Sequence, residues 1–152
     1  MAVTWIDSAE NVDWGELSSL YRLAPLGNKS AEHLRTVFSN SRLKFFAYQG
    51  STLIAAGRAL SDGADCSYIC DLAVLPTHQG CGVGRELLSR LVDASRGHAK
   101  IILYSVPGKE GFYRKMGFMR LTTAMAIFRN QTAAIACGEL GEAEPSNAAD
   151  SR

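Results

Sequence analysis

The segment Gln79-Gly80-Cys81-Gly82-Val83-Gly84-Arg85 places three glycines just ahead of an amphipathic run. A glycine-rich turn entering a helix exposes several backbone N–H groups where the helix dipole favours negative charge, so it can cradle an anion. Glycine is suited to this because the backbone must approach a phosphate closely and adopt positive φ. No GxxxxGK[ST] is present and no lysine follows Gly84, which argues against ATP hydrolysis. The order is GxGxG where a dinucleotide fold needs GxGxxG, which argues against nicotinamide chemistry. The bland reading of the same residues is a tight turn. A second candidate is Asp71, the sole acid in the apolar run Cys66–Leu75. A carboxylate there either faces a substrate or needs a buried partner. Strand alternation sets Tyr68 and Cys70 opposite Ile69 and Asp71 unless a bulge resets the register. Cys66, Cys70 and His78 form no CxxC pair, and no metal site is expected.

The elements that must position these groups can be read from periodicity. Residues 2–6 alternate as a short strand, and Asn11 or Asp13 caps a helix burying Trp14, Leu17, Leu20 and Tyr21. Pro25 and Gly27 end it, and Ser30 opens a second helix with Leu34, Val37 and Phe38 on one face. Lys44–Tyr48 and Leu53–Leu60 read as an antiparallel hairpin, and Cys66–Leu75 as a central strand ending before Pro76. Arg85–Ser95 carries Leu87, Leu88, Leu91 and Val92 on one helical face. Lys100–Ser105 is a further buried strand, followed by a short helix with Phe112, Tyr113 and Met116 that Gly117 caps. A last strand, Leu121–Phe128, is expected to return to the sheet. The residues from Gly138 onward have little to bury, which predicts one domain over 1–137 and a flexible tail over 138–152.

Composition narrows the class. A chain of 152 residues with 47% apolar and 20% charged residues suits one globular domain, and a net charge of +1 supplies no field for nucleic acid. No apolar stretch approaches the roughly 20 residues of a membrane span. The segment Met1–Asp7 lacks the cationic and apolar parts of a secretory signal, so a cytoplasmic location is expected, with Cys66, Cys70, Cys81 and Cys137 as free thiols.

Two motifs together carry a resemblance. Gln79-x-x-Gly82-x-Gly84, after Asp71-Leu72-Ala73-Val74, resembles the acyl-CoA signature of the GNAT superfamily of N-acetyltransferases, and Gly111-Phe112-Tyr113-Arg114-Lys115-Met116-Gly117-Phe118 resembles its FYxKxGF segment. The match covers roughly residues 42–128. The Ser61-Asp62 turn, Ile69–Val74 and Phe112-Tyr113 are also similar to the compact arylalkylamine (serotonin-type) acetyltransferases of plants and cyanobacteria. The resemblance implies an α/β (α+β) fold with a mixed, mostly antiparallel sheet splayed between strands 4 and 5 and helices on both faces. It further implies acetyl-CoA as cosubstrate, with the main chain of Leu72, Ala73 and Val74 pairing with the pantetheine. Gln79, Gly80, Cys81, Gly82, Val83, Gly84 and Arg85 would take the pyrophosphate, and Phe112 would contact the cofactor. Many members carry Asn seven residues before the tyrosine, where this chain has Val106, so the lower cofactor contact must differ.

Acetyl transfer to an amine needs a neutral amine, a polarised carbonyl and a proton for the thiolate. An alkylamine with pKa near 10.4 costs about 4–5 kcal/mol to deprotonate at neutral pH. Asp71 is the candidate base, with Tyr68 or a water chain as alternatives if its side chain points away. By family position Tyr113 is the phenol that protonates the thiolate. A strand amide near Leu72 to Val74 would polarise the carbonyl. The acceptor site would be built from the first two helices and their connection, Leu23–Ser30, where Trp14, Tyr21 and Phe46 serve as walls or, preferably, as core. The expected reaction is direct transfer to a small primary amine in a ternary complex. The alternatives are a protein or peptide acetyltransferase, a non-catalytic acyl-CoA sensor, and a ping-pong route through Cys70 or Cys81. A homodimer through the C-terminal strand or an open sheet edge is compatible with the sequence.

Overall fold

The structure is a computed structural model and describes residues 2–141. The chain forms two compact units, divided between Tyr104 and Ser105. In the first, strands β1 (Val3–Ile6), β2 (Leu43–Gln49), β3 (Thr52–Ser61), β4 (Cys66–Val74) and β5 (Lys100–Ile102) form one sheet in that order. Neighbours from β1 to β4 are antiparallel, and β4 pairs with β5 in parallel.

Helix α1 (Trp14–Leu23) starts where the Asp13 carboxylate accepts the Glu16 N–H, and α2 (Ala31–Ser39) where the Ser30 hydroxyl accepts the His33 N–H. Leu17, Leu20 and Tyr21 of α1 and Leu34 and Phe38 of α2 pack on Phe46, Leu53, Ala56 and Ala73 of the sheet. The rings of Phe38 and Phe46 are 5.2 Å apart, so Tyr21 and Phe46 are core residues, as preferred from the sequence. Helix α3 (Val83–Ala94) covers the other face. A Cβ on Gly57 would lie 3.2 Å from Leu91 and 3.4 Å from Leu87, which places α3 directly over the centre of β3. At the far end of α3 the buried Ser95 hydroxyl donates to that of Ser67.

His98 ties the α3–β5 connection to β3. Its Nε2 lies 2.6 Å from the Ser61 hydroxyl and its Nδ1 2.8 Å from the Ser95 carbonyl.

The second unit holds α4 (Glu110–Lys115) and α5 (Gln131–Ala136), the latter capped by Asn130. Two expectations are corrected here. Leu121–Phe128 makes no strand, and Met125 and Ile127 are 96% and 95% exposed. A strand requires a partner edge, and the described part of this unit contains none. The fifth strand also stops at Ile102, short of the predicted Ser105. Helix α5 was not foreseen. The expected tail lies, from Glu142 on, outside the described residues. Among the described residues no helix is long and apolar enough to cross a membrane.

Candidate active site

Strand β4 changes character at Asp71. Ala56 pairs with Ala73 and Arg58 with Cys70, so Asp71 and Leu72 together oppose Gly57, a β-bulge. Asp71 has φ +56°, the only non-glycine residue in the left-handed region among those described. Aspartate tolerates this conformation better than most residues. The bulge turns the Asp71 side chain onto the face of Arg58, and hence of Cys70, rather than opposite to it. Ladder pairing between β4 and β5 covers only Cys66–Tyr68 with Lys100–Ile102. Beyond that point β4 is laddered to β3 alone among the described residues.

The Asp71 carboxylate is engaged by two cations. Arg58 Nε donates to Oδ2 at 2.8 Å, and Lys29 Nζ lies 3.7 Å from Oδ1. Arg58 also donates through Nη1 to the Ser41 hydroxyl at 3.2 Å. The buried Tyr21 hydroxyl donates to the Asp71 carbonyl, which locks the bulge to α1. Burial pushes the Tyr21 phenol well above its ordinary value, with the Asp71 charge adding to it. Burial likewise raises the Cys70 thiol, although Arg58 opposes this, and keeps it protonated near neutrality. Such a thiol is poorly suited to a ping-pong nucleophile. Tyr68, two residues earlier, stacks on Tyr104 with ring centroids 6.4 Å apart, and its phenol is raised chiefly by burial, then by Cys70 and Tyr104.

Sequence reasoning singled out Asp71 but missed Arg58, Lys29 and Ser41 as its surroundings. A signal was present, since Arg58 is the one charge in the otherwise apolar Leu53–Leu60, just as Asp71 is in β4.

The glycine loop follows directly. After a 3-10 turn at Pro76–His78, the Gln79 side chain donates to the Val74 carbonyl at 3.0 Å, anchoring the loop to the end of β4. His78 is held between Thr77 and Gln49, at 2.9 Å from each. Gly80 and Gly82 have φ of +77° and +86°, and no atom lies within 4 Å of where a Cβ would stand on either. Gly82 is the N-cap of α3, and no side chain caps this helix, in contrast to α1 and α2. No side chain therefore caps the N–H groups of Val83, Gly84 and Arg85 at the positive end of a 12-residue helix. The space and the donor set fit a pyrophosphate, with Cys81 exposed beside them.

In the second unit Tyr113 is half-buried on α4, edge-on to Phe112 at 5.1 Å and Phe118 at 6.1 Å. Burial raises its phenol above the ordinary value near 10, so it carries its proton throughout the neutral range. The Phe112 ring is partly exposed.

A bulged β4, its lost partner strand and an uncapped glycine loop occur in the order that the GNAT motifs require. Residues 7–118 match the sequence profile of the Acetyltransferase (GNAT) family. The chain belongs to this family. Serotonin N-acetyltransferase 2, chloroplastic, of Oryza sativa subsp. japonica is 31% identical over 82% of this chain and 66% of its own length. GCN5-related N-acetyltransferase 1, chloroplastic, of Arabidopsis thaliana is 40% identical over 43% of this chain and 34% of its own length. The chain thus spans about two thirds of the first relative and about one third of the second. Among solved structures, the GNAT family protein SP0256 of Streptococcus pneumoniae TIGR4 superposes with a TM-score of 0.71 at 27% identity, over 84% of this chain and 99% of that one. The α/β GNAT fold expected from the two motifs is the fold observed.

Proposed function

We propose that the chain is an acetyl-CoA-dependent N-acetyltransferase acting on a primary amine of a small molecule by direct transfer in a ternary complex. The observation that carries this reading is the uncapped start of α3 beneath an open glycine loop, next to a strand that has just lost its neighbour. Acetyl-CoA, when bound, supplies the activated acyl group as a thioester.

The backbone N–H groups of Gly80–Arg85 hold the pyrophosphate. The main chain of Leu72, Ala73 and Val74 takes the pantetheine as an added strand, less the Val74 carbonyl that Gln79 occupies. An amide of the same stretch polarises the thioester carbonyl. Asp71 is the acceptor of the amine's proton through Oδ1, the oxygen less tightly engaged by its cations. The amine nitrogen bonds to the carbonyl carbon as the C–S bond breaks, and the Tyr113 hydroxyl gives its proton to the departing sulfur. The rice relative is named as a serotonin N-acetyltransferase, which puts arylalkylamines, with and without an acidic group, on the acceptor panel.

The decisive measurement is thiol release from acetyl-CoA against arylalkylamines, polyamines, amino acids and short peptides. Turnover with a small amine is expected. Turnover with peptides alone would replace this reading by a protein acetyltransferase. Binding of acetyl-CoA without release across the whole panel would replace it by a sensor.

A further inference from the structure

We propose that Lys29 selects an acceptor carrying an anionic group, a carboxylate or a phosphate, within a few bonds of the amine that is acetylated. This deepens the small-amine reading above and rests on it.

The cluster on the Asp71 face holds two cations and one anion. Among the described residues, both Arg58 and Lys29 form their ion pair with Asp71, so one positive charge is in excess. The two cations are not equivalent. Arg58 is committed on both sides, to Asp71 at 2.8 Å and to Ser41 at 3.2 Å, and its side chain is only 14% exposed. Lys29 stands 3.7 Å from Oδ1, well beyond the roughly 2.7–2.9 Å of a charge-assisted hydrogen bond, so its three protons are not spent on the carboxylate. Its backbone is nonetheless fixed, because the Ser18 hydroxyl donates to the Lys29 carbonyl at 2.5 Å. The ammonium is therefore held beside the bulge by a built loop, partly desolvated at 26% exposure and short of an anion.

Its neighbours give the location meaning. Lys29 reaches the same face of β4 as Cys70, at the bulge where the β3–β4 register shifts. An incoming ammonium on Asp71 Oδ1 and an anion on Lys29 Nζ would rest on atoms 3.7 Å apart, which limits the two groups of the acceptor to a short separation. A plain alkylamine would bring a third cation against a single carboxylate, with nothing to offset it.

The test pairs each acidic acceptor with its neutral twin, phenylalanine with phenethylamine and phosphoethanolamine with ethanolamine. It measures kcat/KM for each, and binding to the CoA-loaded protein by calorimetry. In the unaltered protein the acidic member of at least one pair should lead by about tenfold or more, and the pair that splits tells carboxylate from phosphate. Lys29→Met should bring that pair to parity, and Lys29→Arg should restore the preference, which a merely structural residue would not do. Equal values within both pairs, or a preference that survives Lys29→Met, would overturn the proposal. Lys29-dependent binding of an acidic member without turnover of any amine would support the site while refuting the transfer reaction.

Discussion

At the scale of single residues, Tyr113, the proposed proton donor, and Asp71, the proposed base, each answer to their own environment. Tyr113 lies edge-on to the rings of Phe112 and Phe118, and burial raises its phenol. A raised pKa keeps the proton on as pH climbs, so a Tyr113 donor predicts a rate that rises as the amine deprotonates and shows no falling limb below about pH 10. Tyr113→Phe should lower kcat by about 10²-fold or more with acetyl-CoA affinity unchanged, read by steady-state kinetics and calorimetry. Full turnover in that variant would remove Tyr113 from the chemistry. Asp71 answers to different physics, because it is both a charge partner and a residue at φ +56°. Asp71→Asn keeps the size and the tolerance for left-handed backbone but leaves the Arg58 charge, at 14% exposure, without its counter-ion, so unfolding in urea should show a loss of about 1–3 kcal/mol. Asp71→Ala should lose more, since strain adds to the lost pairing. An unchanged midpoint in both would mean that the ion pair contributes nothing to the fold.

Elements explain why part of the site was legible in the sequence and part was not. The glycine loop works through backbone groups, and glycine spacing before an amphipathic helix is visible in one dimension. Caps such as Asp13 and Ser30 are equally local, and both were found where side-chain chemistry put them. The Arg58–Asp71 pair depends on which residues of two strands share a face, and a bulge of one residue reverses that for everything beyond it. Periodicity alone could name the bulge as the condition but not decide it. Leu121–Phe128 failed for the opposite reason, because its alternating pattern describes a side-chain preference and says nothing about an available edge. Gly57 is the residue across from the bulge. It opposes two residues of β4, and a Cβ there would stand 2.9 Å from Leu72 Cδ2 and 3.2 Å from Leu91 Cδ1. Gly57→Ala should therefore push α3 and the bulge apart, costing about 1–3 kcal/mol in chemical denaturation and raising the KM for acetyl-CoA. Wild-type stability with wild-type KM would show that β3 and α3 yield more easily than this packing implies.

For the whole molecule, stability is unevenly distributed. The unit ending at Tyr104 holds two helices against one face of a five-stranded sheet and a third against the other, with Leu17, Tyr21, Leu34, Phe38, Phe46, Ile54, Leu87 and Leu88 wholly buried. The described residues of the unit that begins at Ser105 form two short helices, and between them a stretch with no ladder in which Met119, Met125 and Ile127 are more than 90% exposed. A protease must draw about ten residues of extended chain into its site, which an unpaired segment supplies and a laddered strand does not. Trypsin at low concentration should therefore cut first after Arg120 or Arg129, both exposed, and spare the bond after Arg58 in β3 until much later. Mass spectrometry of the early fragments reads this directly. First cuts within β2 to β4 would mean that the larger unit opens more readily than its buried core implies. Protection of Arg120 and Arg129 for as long as Arg58 would mean that Met119–Phe128 is covered in solution, and the exposed apolar row Met119, Leu121, Met125 and Ile127 would then be the surface to account for.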